Sequence, residues 1–240
     1  LSYGRLLWET GTLPTTEPLM PLSHGVPFLN SAWLTQLIAY GGYQVIGKAA
    51  ITFLFAFCVA AAFAAVTRRI YNRTHSAMFA LGGFALTMWV EYQQLIVHRP
   101  QIVGFLFYSV LLSILLRREW SNKNWIVVPA MFALWANMHG SFVVGLGLLG
   151  CFVIGRGVDL VRRTGKLASL FRDSKLRRLV LLTELGAVAA LLNPYGLSLY
   201  TEVLSFGSNP NLQSLVEWKS LHIRLAQGQA AAVAVLILFM

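Results

Sequence analysis

Composition, long apolar runs and clustered basic residues together predict an all-α polytopic bundle of transmembrane helices, with about seven membrane segments and an N-terminal loop on the outer face. Of the 240 residues, 57% are hydrophobic and 12% charged, whereas a soluble domain carries about 25% charged residues. Mean hydropathy is +0.64. Of the 19 Lys and Arg, 14 fall into three short clusters between apolar runs. These are Arg68, Arg69 and Arg73; Arg117, Arg118 and Lys123; and eight residues from Arg156 to Arg178. Cytoplasmic loops carry such clusters under the positive-inside rule, and the last cluster also suits anionic lipid headgroups. The net charge of +10 is therefore assigned to membrane topology. No aromatic interleaving accompanies the charge, which argues against nucleic acid as a partner.

Residues 1–32 are read as the outer, extracytoplasmic loop. Tyr3 to Thr10 predicts a short amphipathic helix ended by Gly11, and Pro14, Pro18, Pro21, Gly25 and Pro27 then forbid regular structure. Residues 33–240 are read as the bundle. The start at Leu1 and the stop at Met240, inside the apolar run from Ala230, mark a fragment truncated at both ends, because a span needs about 20 residues.

Trp33 to Val66 is apolar apart from Lys48, and as one helix it would measure roughly 51 Å, too long for one crossing. We place Trp33–Gly47 in the interface or re-entering, and Ala49–Val66 crossing inward. The following segments alternate: Ser76–Gln94 outward, Gln101–Leu116 inward, Trp125–Met138 outward, Ser141–Gly155 inward and Leu179–Leu192 outward. The run from Ala230 then starts back inward. All basic clusters fall inside. The outer connections carry Glu91, His98-Arg99-Pro100, Asn137-Met138-His139-Gly140, Asn193-Pro194-Tyr195 and Glu217-Trp218. Trp125–Met138 spans roughly 21 Å against a hydrocarbon core of about 30 Å. Short crossings that start inside end below the outer surface, which predicts an outward groove with His139, Asn137, Asn193 and Tyr195 near its floor or rim.

Other motifs carry less. Gly145, Gly147 and Gly150 form a literal GxGxxG, but inside an apolar crossing they read as small residues permitting close helix packing. Cys58 and Cys151 lack metal or CxxC spacing and read as small core residues. Glu184, mid-crossing, reads either as a proton-relay group or as a partner of Arg177 or Arg178. Trp8, Trp33, Trp120, Trp125 and Trp218 fit interfacial anchors. Glu17, between Thr16 and Pro18, is a carboxylate in a rigid strap, suited to general-base work over a groove or to simple solvation. Arg99 suits a phosphate clamp or a helix-end anchor. No DxD, HExxH or Cys/His cluster occurs, so no cofactor is assigned and a divalent cation stays open.

The stretches GRLLWETGTLPTTEP, SHGVPFLNSAWLTQLIAY, HRPQIVGFLFYSVLLSILL, LWANMHGSFVVGLGLLG and LLNPYGLSLY resemble polytopic bacterial proteins grouped with the GT-C glycosyltransferases. More narrowly, they resemble the set related to lipid A core galacturonosyltransferases and protein mannosyltransferases. The resemblance implies a multi-pass protein of the bacterial cytoplasmic membrane. It implies a sugar donor carried on a polyprenyl phosphate, and transfer at the outer face with an acidic loop residue as base. Family members usually carry one Asp soon after the first transmembrane helix and often another before a strap Pro. The first would precede Leu1, and the second position holds Glu17, one methylene longer. His24, Arg99, His139 and Asn193 match recurrent positions. The site expected from residues and resemblance together is Glu17 as base, with Arg99, His139, Asn137, Asn193 and His24 binding substrate. Two rival classes remain: a transporter or flippase with an outward-open cavity, and a non-catalytic membrane assembly protein.

Overall fold

The computed structural model describes residues 1–96, 99–117, 119–205 and 224–239. All regular elements among them are helical: α1 (Ser2–Thr10), α2 (Trp33–Ile46), α3 (Ala49–Thr74), α4 (Ala77–Ile96), α5 (Gln101–Leu115), α6 (Asn124–Met138), α7 (Phe142–Thr164), α8 (Ala168–Arg172), α9 (Ser174–Ala189), α10 (Leu197–Ser205) and α11 (Ala226–Phe239), with one 3-10 turn at Pro21–Ser23. His98, Arg118, Glu217, Trp218 and Met240 lie outside the described residues.

The helices sort their ends into two poles. At one pole, the end of α3 meets the end of α5, where Arg73 donates to the Leu116 carbonyl at 3.4 Å. The Arg178 guanidinium, on the first turns of α9, lies over the Trp120 ring just before α6. This basic pole gathers the described members of all three cation clusters. At the other pole Thr35 of α2 donates to the Met138 carbonyl at 2.7 Å. Asn137 of α6 donates to the Leu192 carbonyl beyond α9 at 2.8 Å. In the packing, α3 and α5 thus end at the first pole, and α6 and α9 end at the second. Helix α2 starts and finishes at this second, strap pole. It begins against Asn137 and Met138, and breaks at Gly47 (φ 65°) directly before α3.

Helices α3 and α7 are long and apolar enough to cross a membrane, yet only 17% and 11% of their most apolar stretches are buried in the bundle. The core helix of a soluble protein would be mostly covered. Phe53 and Phe57 on α3, Met78 and Phe79 on α4, and Ile154 on α7 are all exposed. Helices α5 and α6 are apolar but shorter.

The packed core lies between α5, α6, α7 and α9. Leu111, Phe132, Trp135, Phe142, Leu149 and Leu182 are fully buried there. Trp135 stacks with Phe107 and Phe132 at centroid distances of 5.5 and 5.7 Å. Gly145 and Gly186 allow this: a Cβ on Gly145 would enter the Trp135 ring, and one on Gly186 would meet the Phe132 ring at 2.8 Å. Gly147 and Gly150 have nothing within 4 Å, so of the GxGxxG residues only Gly145 serves close packing. Cys58 is buried as expected, but Cys151 is exposed on α7. Glu91 falls within α4 and not in a connection. Glu184 is exposed on α9 and, among the described residues, makes no ion pair with Arg177 or Arg178.

Candidate functional site at the strap pole

Residues 12–32 close on themselves before they touch the bundle. Thr16 and Pro27 form a β-bridge. The Glu17 N–H donates to the Val26 carbonyl at 2.8 Å, and the Gly25 N–H returns to the Glu17 carbonyl at 3.0 Å. Gly25 (φ 82°) makes the reversal that this pairing requires. The prolines thus exclude extended sheet while leaving a single clipped loop.

Glu17 is the knot of that loop. Its carboxylate accepts from the Tyr3 hydroxyl at 2.8 and 2.7 Å, one contact to each oxygen. It also accepts from the backbone N–H groups of Leu19 and Met20 at 2.8 and 3.0 Å. The residue is 5% exposed. Desolvation works to raise its pKa, but the three donors and the nearby His24 outweigh it and hold the carboxyl below its ordinary value of 4.5. Burial, and then the carboxylate itself, push the Tyr3 hydroxyl up to about 12, so Tyr3 remains a donor. His24 is exposed at the end of the 3-10 turn.

A group with a lowered folded pKa stabilises the fold above its unfolded pKa, and that contribution is lost as pH falls through the folded value. Wild type is therefore expected to melt above Glu17→Gln at neutral pH, with the gap closing as pH drops below about 4.5, the ordinary glutamate value. Detergent-phase thermal melts between pH 3 and 7 measure this. A gap that does not change with pH would show that the charge on Glu17 does not hold the strap.

The strap then seats on the helix ends. The Asn30 N–H donates to the Tyr195 hydroxyl at 3.3 Å. The Trp33 indole donates to Asn137 Oδ1 at 3.1 Å. Asn137 Nδ2 itself donates to the carbonyls of Ala133 and Leu192, each at 2.8 Å. Asn193 closes the turn after α9: its Nδ2 donates to the Ala190 carbonyl at 2.7 Å, and its Oδ1 accepts from the Tyr195 N–H at 2.8 Å. At Leu192 and Ala190 these asparagines satisfy carbonyls left over at the end of α9.

His139 stands in extended conformation just past α6. Its Nδ1 accepts from the Ser141 N–H at 3.1 Å and meets Ser141 Oγ at 2.9 Å. The Trp135 indole also donates to Ser141 Oγ, at 3.0 Å. An accepting Nδ1 assigns the ring proton to Nε2. Burial lowers the imidazole pKa to about 4, so the ring is neutral at physiological pH and Nε2–H is a donor.

Arg99 lies elsewhere. It lines a cleft between α2, α3 and the start of α5, with Thr35 and Gln36 on one wall and Ile51, Leu54, Phe55 and Val103 on the other. Polar groups and a guanidinium border an apolar channel. The structure therefore brings Asn137 and Asn193 together with the strap at the end of α6 that carries His139, and Thr35, which lines the Arg99 cleft, reaches the Met138 carbonyl next to His139. Among the described residues, no three His, Cys, Asp or Glu side chains gather to hold a metal.

No known protein family matches this chain, and no curated protein or solved structure matches it either. Sequence reasoning missed Tyr3, Thr35 and Gln36. Tyr3 shares the face of α1 that buries Leu7 and stacks on Phe28, so by pattern it reads as a packing residue, and only its distance to Glu17 reveals its role.

Proposed function

We propose that this chain is the membrane-embedded part of a GT-C-like glycosyltransferase that takes a sugar from a polyprenyl-phosphate donor at the outer face of a bacterial cytoplasmic membrane. In this reading the basic pole is cytoplasmic, the strap pole is extracytoplasmic, and about seven segments lie in the bilayer. The observation that carries the proposal is the Arg99 cleft. An isoprenoid tail matches the wall of Ile51, Leu54 and Phe55, and a phosphate matches the guanidinium at the polar rim. A lipid-linked donor needs this combination, because its tail stays in the bilayer while its sugar enters water.

The reaction is direct displacement: an acceptor hydroxyl attacks the anomeric carbon, the bond to the phosphate oxygen breaks, and a carboxylate takes the hydroxyl proton. Arg99 neutralises the departing phosphate. Glu17 is the assigned base. Because its oxygens already accept from Tyr3, Leu19 and Met20, it can act only when an acceptor hydroxyl replaces that of Tyr3. The packing of Leu29–Thr35 over the ends of α6 and α9 supports an enzyme over a transporter, which needs an open path there.

The test uses full-length protein in nanodiscs and a panel of polyprenyl-phosphate sugars. Arg99→Ala is expected to weaken donor binding roughly tenfold to a hundredfold, the range of one charge-assisted contact. Glu17→Gln is expected to abolish turnover while donor binding persists. Turnover that survives Glu17→Gln moves the base to another carboxylate. A protein that binds none of the donors is not this transferase.

A further inference from the structure

The basic pole carries a second cleft, of different chemistry. It lies between the end of α5, the turn before α6 and the first turns of α9. Its wall holds Arg117, Lys175 and Arg178 with one acid, Glu119, and its apolar part is Ile114, Leu115 and Leu179. Trp120 also lines it. The Arg178 guanidinium lies 5.5 Å from the centroid of the Trp120 ring, and Trp125 packs edge-on against that ring at 5.4 Å. This cation–π contact holds Arg178 in place.

One N–H donor of the cleft, on the Trp120 indole, and one on the neighbouring α3, the Nε of Arg69, have no acceptor among the described residues, although both atoms are buried. A buried donor without an acceptor is costly. Arg69 is moreover repelled by Arg117, Arg73 and Arg68. Three clusters far apart in the chain thus converge, with cations in excess of the one acid, Glu119, that lines the cleft.

We propose that this cleft is a phosphate-binding site, filled by the headgroup of an anionic phospholipid or by soluble phosphate. Phosphate oxygens accept from guanidinium and ammonium groups and offset their repulsion. They also offer an acceptor to the indole N–H of Trp120, which lines the cleft and has none among the described residues. The apolar wall accommodates the glycerol and first acyl carbons of a lipid, which favours the lipid source. The inference does not depend on the reading of the Arg99 cleft.

Native mass spectrometry of the full-length protein in neutral detergent tests it, with phosphatidylglycerol, phosphatidylcholine and inorganic phosphate as probes. The variant Arg117→Ala/Lys175→Gln removes two cleft cations and leaves the Arg178–Trp120 pair intact. The variant Arg162→Ala/Arg163→Ala removes the same charge from the exposed end of α7, outside the cleft. Phosphatidylglycerol binding is expected to fall about thirtyfold in the cleft variant and less than about threefold in the control. Trp120→Phe, which keeps a ring under Arg178 and drops the N–H, is expected to weaken it about tenfold. If inorganic phosphate binds and is lost in the same variants while the lipid does not bind, the ligand is soluble phosphate. Equal losses in cleft and control variants would overturn the proposal, leaving a diffuse basic surface. Absence of binding by both phosphate probes would overturn it too.

Discussion

Trp135→Ala is expected to destabilise the bundle by about 3–5 kcal/mol, the cost of emptying a large aromatic site. Trp135 is fully buried, stacks between Phe107 and Phe132, and fills the space that Gly145 leaves open. In a bilayer the apolar transfer term is weak, because lipid is as apolar as the core. The loss is then chiefly one of packing contacts. The substitution also removes the indole donor to Ser141 Oγ, and with it one support of His139. Trp135→Phe separates the two effects: it keeps most of the packing and is expected to cost only about 1–3 kcal/mol, from the lost donor. Denaturant or SDS titration in mixed micelles measures both. Similar costs for Ala and Phe would show that the hydrogen bond dominates and the packing does not.

Gly4→Ala is expected to detach α1 from α2, at a cost of about 1–3 kcal/mol. A Cβ on Gly4 would run into the backbone carbonyl of Gln36 and approach Tyr40 Cβ to 2.9 Å. Backbone cannot rotate aside, so the helices must separate. Separation pulls Tyr3 from Glu17 and shifts Gln36 at the edge of the Arg99 cleft. Faster proteolysis within residues 11–28 and weaker donor binding are expected together. Gly82→Ala is the control, since Gly82 in α4 has nothing within 4 Å; it is expected to be neutral or stabilising by about 0.5–1 kcal/mol. If Gly4→Ala matched this control, α1 would not be docked on α2 as described.

Much of the helical plan was legible in the residues. Gly11 ends α1 in left-handed conformation, the break before Ala49 separates α2 from α3, and α6 ends at Met138 as its apolar run does. Helix α3 runs past the expected Val66 to Thr74, and two further boundaries moved for identifiable reasons. Helix α9 starts at Ser174 because Asp173 caps it, accepting from the Leu176 N–H at 2.6 Å. Asp173 also pairs with Arg156 at 2.6 Å, so this N-terminus is tied to α7. Helix α7 runs through Gly155 and Gly157 to Thr164 and stops at Gly165, which takes the left-handed conformation, while Arg162 and Arg163 suit a helix C-terminus.

Residue types by themselves determined that the chain is helical, where its apolar runs lie and which connections are basic, because periodicity and charge are local along the chain. Only the tertiary structure decided which distant residues meet. It tied Glu17 to Tyr3, and used Asn137 and Asn193 to satisfy helix-end carbonyls. It set Arg99 in a largely apolar cleft beside α2 and α3. It also set Arg178 on Trp120. These outcomes depend on how helix faces pack and on which carbonyls are left unpaired at their ends, and neither is encoded in any one segment's pattern.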